Sequence, residues 1–201
     1  MIVKIIDISA YQGAIDWQKV AQNKDINGVI MRATTQNGNL DKRLIENYNG
    51  VLHNMNDIDE ISVYKMTYAR DYVSARLECW KCLCELKEHG VHFDKFYLDI
   101  EKNMNKDYTT NEANAVILGY YDELQNFGFS DRLGLYFNYN YLKNVIAPVW
   151  RQISRFPIWL ARYNTTMGDV SGWNVRLWQY TSVGRVDGIN GDVDISREVT
   201  L

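Results

Sequence analysis

Four carboxylic acids stand at points of the sequence where their side chains could act on one bond together. Asp7 closes an apolar run near the start of the chain, Asp99 and Glu101 close another in FYLDIE, and Asp194 lies in GDVDIS. Cleavage of a glycosidic bond needs one acid that protonates the leaving oxygen and ionised neighbours that stabilise positive charge on the sugar ring. These four acids are therefore our candidate catalytic residues.

The spacing of Asp99 and Glu101 strengthens this interpretation. In an extended backbone, residues two apart point to the same face. Crowded carboxyl groups in a partly dry cleft do not all ionise, so one of them stays protonated near neutral pH. The spacing leaves the stereochemical course of the reaction open. A single Asp at a strand end is more often a turn former or helix cap, which is the plainer interpretation of Asp7 or Asp194 alone.

Metal binding is the other chemistry that clustered oxygen ligands allow, because Mg²⁺ and Ca²⁺ prefer them. The sequence offers neither a His-rich ligand set nor a phosphate-binding loop beside these acids. We therefore expect no metal and no cofactor.

Aromatic side chains are plentiful, with 14 Tyr, 6 Trp and 6 Phe. Aromatic faces stack on sugar rings, and Tyr adds a hydroxyl group that can form hydrogen bonds. The plainer interpretation is that half or more of these residues belong to the core. Those that lie near predicted strand ends are Tyr64, Tyr68, Tyr136, Trp159, Tyr163, Trp178 and Tyr180.

The elements that must position these residues alternate along the chain. Predicted strands cover 2–7, 28–33, 62–68, 95–100, 133–137, 158–161, 175–180 and 192–195, and predicted helices cover 16–22, 42–55, 74–89, 110–127 and 139–150. Alternation of this kind predicts an α/β fold with a parallel sheet and outer helices. We expect an irregular TIM-like (β/α) barrel with eight strands and about five helices, whose strand ends bring the four acids to one mouth. A doubly wound open sheet is the competing architecture, but no GxGxxG sequence follows a strand.

Composition limits the function further. The 201 residues suit one domain over 1–201, and 46% hydrophobic with 23% charged residues excludes a disordered chain. A net charge of −3 without a Lys/Arg block disfavours nucleic-acid binding. No apolar run reaches the roughly 18 residues of a membrane span, and the N-terminus does not resemble a signal peptide. We expect a monomer that binds neither nucleic acid nor membrane.

Three cysteines, Cys79, Cys82 and Cys84, fall within six residues of one predicted helix. A disulfide framework would spread an even number of cysteines along the chain. A zinc site would need further ligands, for which His89 is the only nearby candidate. We interpret these residues as structural thiols.

Seven segments together resemble the glycoside hydrolase family 25 lysozymes, the Chalaropsis-type N-acetylmuramidases. The resemblance runs from about residue 3 to 196, and its segments are specific in combination although D-x-E alone is not. They are DISAYQGAIDW (7–17), GVIMRAT (28–34), YKMTYA (64–69), YLDIE (97–101), LGLYFN (133–138), PIWLARY (157–163) and LWQYTSVGRVDGINGDVDIS (177–196).

This resemblance implies an irregular eight-stranded α/β barrel that hydrolyses the β-1,4 bond between N-acetylmuramic acid and N-acetylglucosamine in peptidoglycan. It implies that Glu101 is the general acid and that Asp99 orients and stabilises the substrate acetamido group or the ring cation. It places Asp7 and Asp194 on the floor of the active site. Residues that would bind the sugars or hold the carboxylates are Tyr64, Tyr68, Tyr136, Trp159, Tyr163, Gln179 and Arg32.

The third strand departs from the family pattern, because many relatives read YHYSYA where this chain reads YKMTYA. Strand alternation places Met66 on one face with Tyr64 and Tyr68, so an aromatic sugar contact is absent there. Lys65 replaces the usual His on the opposite face. All four acidic positions are intact, so these changes concern specificity more than chemistry.

Two alternatives remain open at this stage. A chitinase-like hydrolase also places D-x-E after its fourth strand, although Lys95, Phe96 and Tyr97 stand where a further Asp is expected. A cell-wall-binding module without catalysis is the other alternative. The missing signal peptide and reduced cysteines suit a phage endolysin that is made in the host cytoplasm and released through a membrane pore, or a chain whose signal has been removed.

Overall fold

Eight strands close into a barrel in which each strand pairs with its neighbours in chain order. The structure is a computed structural model and describes residues 4–102 and 106–199, so residues 2 and 3 of the first predicted strand lie outside the described residues. The strands are β1 (Lys4–Ile8), β2 (Ile26–Arg32), β3 (Glu60–Met66), β4 (Phe96–Asp99), β5 (Leu133–Asn138), β6 (Ile158–Ala161), β7 (Val175–Gly184) and β8 (Val193–Glu198).

The direction of the last strand corrects the expectation of an all-parallel sheet. Strands β1 to β7 pair in parallel, but β8 runs antiparallel to both β7 and β1. The connection from β7 to β8 contains no helix, so the chain turns back at the mouth where β7 ends. Asp194 therefore begins β8 at this mouth, directly opposite Asp7.

Five main helical segments connect the first six strands within the described residues, and a 3-10 turn at Ala10–Gln12 precedes the first of them. The first four are α1 (Trp17–Val20), α2 (Leu44–Asn54), α3 (Tyr72–Glu88) and α4 (Thr110–Asn126). Thr109 caps α4 by accepting a hydrogen bond from the Glu112 amide, which confirms the predicted helix start. Gly90 and Gly128 follow α3 and α4 with φ values of +67° and +81°. This is the left-handed backbone conformation in which helices often end and which glycine adopts readily.

The fifth segment is less regular than the single helix predicted over 139–150. Short α-helices, α5 (Tyr139–Tyr141) and α6 (Trp150–Ile153), flank a π-helical turn at Leu142–Ile146 and a 3-10 turn at Ala147–Val149. Pro148 lies in the 3-10 turn and has no amide hydrogen to donate to an earlier carbonyl group. The hydrogen-bond pattern of one continuous helix is therefore interrupted here.

The apolar residues form two layers, one inside the barrel and one outside it. An inner cluster fills the barrel and includes Ile5, Ile30, Tyr97 and Trp159, whereas an outer cluster lies between the barrel and the helices. Gly134 sits opposite Tyr97, and a Cβ at Gly134 would lie 2.5 Å from the Tyr97 ring. A glycine at this position thus makes room for the ring.

The cysteines of α3 are part of the outer layer. Cys79 and Cys82 are buried, Cys84 is half-buried, and all three are free thiols. Burial raises the pKa of Cys82 to about 12, so this thiol stays protonated and unreactive. These positions agree with structural thiols.

Among the described residues, no helix is both long enough and apolar enough to cross a membrane.

Candidate active site

The four predicted carboxyl groups lie at one mouth of the barrel. Asp7 in β1 pairs with Asp194 in β8, Asp99 ends β4, and Glu101 follows two residues later. Asp7 and Asp99 are 7% and 6% exposed, whereas Asp194 and Glu101 are half-buried. Acids from three distant parts of the sequence therefore share one site.

Asp7 and Asp194 form a coupled pair. Burial, followed by the charge of Asp194, raises the pKa of Asp7 well above its usual value. Burial also raises the pKa of Asp194, although its hydrogen bond with Asp7 opposes that rise. Two carboxyl groups at such close range share one proton more readily than they carry two charges.

Asp99 and Glu101 are the second pair of acids at the mouth. Burial, then the charges of Glu101 and Asp7, raises the pKa of Asp99. One of its oxygens, Oδ1, is buried and accepts no hydrogen bond from any described residue. Burial and then the charge of Asp194 raise the pKa of Glu101. A half-buried acid with a raised pKa has the protonation and the access that a general acid needs.

Gln179 connects these carboxyl groups to the aromatic wall. Its Nε2 donates to Asp7 Oδ2 over 3.0 Å, and its Oε1 accepts from the Tyr136 hydroxyl over 3.1 Å and the Tyr163 hydroxyl over 2.9 Å. Burial, with the nearby carboxylates, raises the pKa of both phenols, that of Tyr163 to about 12. Both tyrosines thus remain donors, and they fix the amide so that it can donate to Asp7.

Replacing Gln179 by Leu should lower kcat/KM for the hydrolysis that the family resemblance implies about 10- to 100-fold. The substitution removes the donor to Asp7 and leaves the hydroxyl groups of Tyr136 and Tyr163 without their acceptor. A hydrogen bond to a charged group contributes roughly 1.5–3 kcal/mol. Initial rates across pH, with thermal unfolding as a fold check, provide the measurement. Tyr163→Phe is the matched control, because it removes one of these hydrogen bonds and should cost only a few-fold. A Gln179→Leu enzyme with wild-type rates and pH profile would contradict this role.

Trp159, which the resemblance placed among the residues that bind the sugars or hold the carboxylates, is enclosed by other side chains. It is 2% exposed, its indole Nε1 donates to Ser196 Oγ over 2.9 Å, and its ring meets Tyr136 edge-on at 4.6 Å between centroids. Because no face of the ring is open, Trp159 supports the floor from below. Tyr163, at 56% exposed, presents an open aromatic surface instead.

Tyr64 and Tyr68 line the same side of the mouth. Tyr64 packs against the inner cluster, and burial followed by the charge of Asp7 raises its pKa. The Tyr68 hydroxyl donates to Met66 Sδ over 3.6 Å, and Met66 pairs with Asp99 in the sheet. Met66 therefore shares the mouth with both tyrosines, as strand alternation predicts.

Arg32 is held in place by a residue that the sequence did not single out. Its Nε and Nη2 lie 2.6 and 2.5 Å from Oδ2 of Asp41, which is buried. Asp41 also accepts hydrogen bonds from the backbone amides of Ala10 and Arg43. Asp41 lies in a loop outside every recognisable segment, so only the fold reveals this contact.

A cleft of about 490 Å³ opens over Asp7 and Asp194, and we call it the acidic cleft. Its size falls within the range of small-molecule sites. Ser9 and Gln12 belong to the segment DISAYQG, and Gln12 Nε2 donates to the Asp192 carbonyl oxygen over 3.2 Å. The walls of the cleft comprise Asp7, Ile8, Ser9, Tyr11, Gln12, Arg32, Tyr64, Tyr163, Ser182, Asp192 and Asp194.

Within residues 4–102 and 106–199, no group of three or more His, Cys, Asp or Glu side chains is arranged to hold a metal ion.

Lys65, the departure from the family pattern, is a buried cation behind the site. Its Nζ lies 3.1 Å from Glu78 of α3 and donates to the carbonyl oxygens of Thr35 and Met66. Glu78 also accepts from the Thr67 hydroxyl over 2.7 Å. The Lys65 charge lowers the pKa of Asp99, against the larger effect of burial. This ion pair thus fixes the end of β3 and acts on a catalytic candidate.

Replacing Lys65 by Met should lower the free energy of unfolding by about 3 kcal/mol, because it leaves the half-buried Glu78 charge without its cation. Urea unfolding at pH 7 measures the change. The double variant Lys65→Met with Glu78→Gln should recover part of the loss. Lys19→Met is the control, since its ion pair with Asp16 is exposed and should not change the unfolding midpoint. An equal effect of Lys65→Met and Lys19→Met would contradict this account.

Comparison with known proteins gives an independent view of the chain. The sequence matches the family described as glycosyl hydrolases family 25 over residues 6–189. The protein named uncharacterized protein YegX of Escherichia coli K12 is 24% identical over 209 residues, covering 95% of this chain and 67% of its own.

Solved structures share the barrel. The modular autolysin LytC of Streptococcus pneumoniae, solved in complex with a synthetic peptidoglycan ligand, is 26% identical with a TM-score of 0.85 over 98% of this chain. This chain spans 46% of the LytC chain. The catalytic domain of endolysin ply40 from bacteriophage P40 of Listeria monocytogenes is 22% identical with a TM-score of 0.76, covering 98% of this chain and 93% of that domain.

Proposed function

This chain belongs to glycosyl hydrolases family 25 and is a glycoside hydrolase, and from that premise we propose that it is a lysozyme. Its substrate is bacterial peptidoglycan, and it cleaves the β-1,4 bond between N-acetylmuramic acid and N-acetylglucosamine. The observation that carries this proposal is the convergence of Asp7, Asp99, Glu101 and Asp194 at one mouth of the barrel. The peptidoglycan ligand of LytC supports the substrate class.

Glu101 and Asp99 have different roles because they differ in their exposure to the substrate. Glu101 is half-buried and can reach the oxygen of the leaving sugar, so it donates the proton that breaks the bond. Asp99 is buried beneath it and has an oxygen without a donor. Positive charge that develops on the ring or on the acetamido group favours the ionised form of Asp99, which stabilises that charge.

Asp7 and Asp194 complete the polar floor. Burial and the charge of Asp194 raise the pKa of Asp7, against the opposing effect of the Gln179 hydrogen bond, and Asp7 shares a hydrogen bond with Asp194. The pair therefore holds fewer than two charges near neutral pH. Because Asp7 and Asp194 carry fewer than two charges, they raise the pKa of Glu101 less than two ionised carboxylates would. The proton on Glu101 is thus both retained and available for transfer.

Product analysis tests this proposal. Purified bacterial walls are incubated with the protein, turbidity is followed, and the released fragments are identified by mass spectrometry after reduction of their new ends. The expected new reducing end is muramic acid. Reducing ends of glucosamine would identify a glucosaminidase, and soluble products from chitin alone would identify a chitinase-like enzyme. Tight wall binding without new reducing ends would identify a binding module.

A further inference from the structure

A second cleft opens beside the acidic cleft, and we call it the lateral cleft. It has a volume of about 560 Å³, and its walls include Tyr11, Arg32, Thr35, Asn39, Leu40 and Lys42. Tyr11 and Arg32 line both clefts, so the two clefts adjoin at these residues. A ligand in the acidic cleft can therefore reach the lateral cleft along the surface that Tyr11 and Arg32 form.

The two clefts differ in charge. Asp7, Asp192 and Asp194 line the acidic cleft, whereas the charged residues on the walls of the lateral cleft are Arg32 and Lys42. Arg32 is neutralised by Asp41. Lys42 is exposed, and none of the ion pairs in the described part of the chain includes it. An anionic group leaving the acidic cleft would thus move from repulsion toward a free cation.

Other groups in the lateral cleft are also available to a ligand. Tyr11 is 89% exposed at the junction, and its backbone amide donates to Ser9 Oγ over 3.1 Å, which fixes the turn that carries it. Asn39 uses its backbone carbonyl to hold the turn with Thr35, while its side-chain amide forms no hydrogen bond to the described residues. An amide, an aromatic ring and an ammonium group suit a peptide that bears a carboxylate.

We propose that the lateral cleft binds the acidic peptide that muramic acid residues of peptidoglycan carry, with Lys42 pairing with a peptide carboxylate. This inference rests on the proposed function, because it assumes that the glycan lies in the acidic cleft. The peptide branches from the sugar ring, so it must leave the glycan sideways, and the lateral cleft adjoins the acidic cleft at Tyr11 and Arg32. Lys42 thus contributes to recognition of peptide-bearing glycan and takes no part in bond cleavage.

Kinetics on two matched substrates test the inference. One is a soluble peptide-bearing glycan, and the other is the same glycan after an amidase has removed its peptides. On the peptide-bearing glycan, Lys42→Glu should raise KM about tenfold and leave kcat unchanged. On the glycan without peptides, the variant should have the KM of the wild type. Lys42→Arg should restore the wild-type KM. Lys24→Glu makes the same charge change on the exposed loop before β2, at the opposite end of the barrel, and should affect neither substrate.

Direct binding separates this inference from the proposed function. Glu101→Gln protein is titrated with a muramic-acid disaccharide with and without its peptide, and the peptide should improve affinity about tenfold. Adding Lys42→Glu should remove that advantage. Equal affinity for the two ligands, or equal kinetic loss on both glycans, would overturn the inference. A wild-type protein that cleaves neither glycan would instead defeat the proposed function, while the binding comparison would still decide the role of Lys42.

Discussion

Replacing Glu101 by Gln should reduce the rate of wall hydrolysis about a thousandfold while the protein remains folded. Gln has nearly the same shape as Glu but holds no acidic proton, and general acid catalysis contributes roughly 10²–10⁴-fold. Glu101 lies half-buried at the mouth, outside the inner cluster, so its replacement disturbs little packing. The initial rate of reducing-end formation measures the loss, and circular dichroism with thermal unfolding checks the fold. Retention of more than a tenth of the wild-type rate would reject Glu101 as the proton donor.

Glu60 provides a matched control for this substitution. It begins β3 at the opposite end of the barrel, and burial raises its pKa as it does for Glu101. Its Oε1 accepts from the Ser62 hydroxyl over 2.5 Å, a hydrogen bond that a Gln side chain can keep. Glu60→Gln should therefore retain most of the activity. A similar loss in both variants would mean that the loss reflects the barrel as a whole and not one proton.

The pH profile adds a second readout for Glu101. The reaction needs the protonated acid, so the rate should fall as the pH rises through the pKa of Glu101. Burial and the Asp194 charge raise that pKa, so the fall should occur above the usual range of a glutamic acid. Residual activity in Glu101→Gln should lack this limb. An alkaline limb that persists unchanged in the variant would assign it to another group.

Much of the site was predictable because it depends on strand periodicity. Alternation places Asp99 and Glu101 on one face, and successive strands bring their ends to one mouth. The direction of β8 was not predictable in this way, because a hydrophobic pattern reads the same in a parallel and an antiparallel strand. Asp194 reached the predicted mouth although the expected strand direction was wrong.

Other features depend on tertiary contacts that no local pattern encodes. Strand alternation indicates that the Trp159 side chain points into the barrel. Only the three-dimensional structure shows that Tyr64, Tyr97 and Tyr136 pack around it. Lys65 was expected on the outer face, yet its buried position depends on Glu78, which α3 supplies 13 residues later. Charged and aromatic partners from separate elements are thus the part of the site that requires coordinates.

Replacing Asp99 by Asn should lower activity about a hundredfold or more and raise stability at neutral pH. The activity falls because an amide carries no negative charge to stabilise a cation in the transition state. Burial raises the pKa of Asp99 in the folded protein, so the folded state holds this proton more tightly than the unfolded chain does. This contribution to stability is fully present below the usual Asp pKa and is lost as the pH rises toward the folded value. As the pH rises above the usual Asp pKa toward 7, the wild-type protein loses this contribution, whereas Asn has no proton to lose.

Thermal unfolding at two pH values tests both parts of this expectation. At pH 7 Asp99→Asn should melt higher than the wild type, by roughly 2–4 °C for each kcal/mol gained. The difference should shrink as the pH falls toward the usual Asp pKa, below which the aspartic acid is protonated in both states. Asp57→Asn, on an exposed loop, is the control and should change neither activity nor melting. If Asp99→Asn lost stability at pH 7 as well as activity, we would conclude that the Asp99 charge stabilises the folded protein. A gain in stability together with a loss of activity would mean that the buried acid lowers the stability of the folded protein and is present because the reaction needs it.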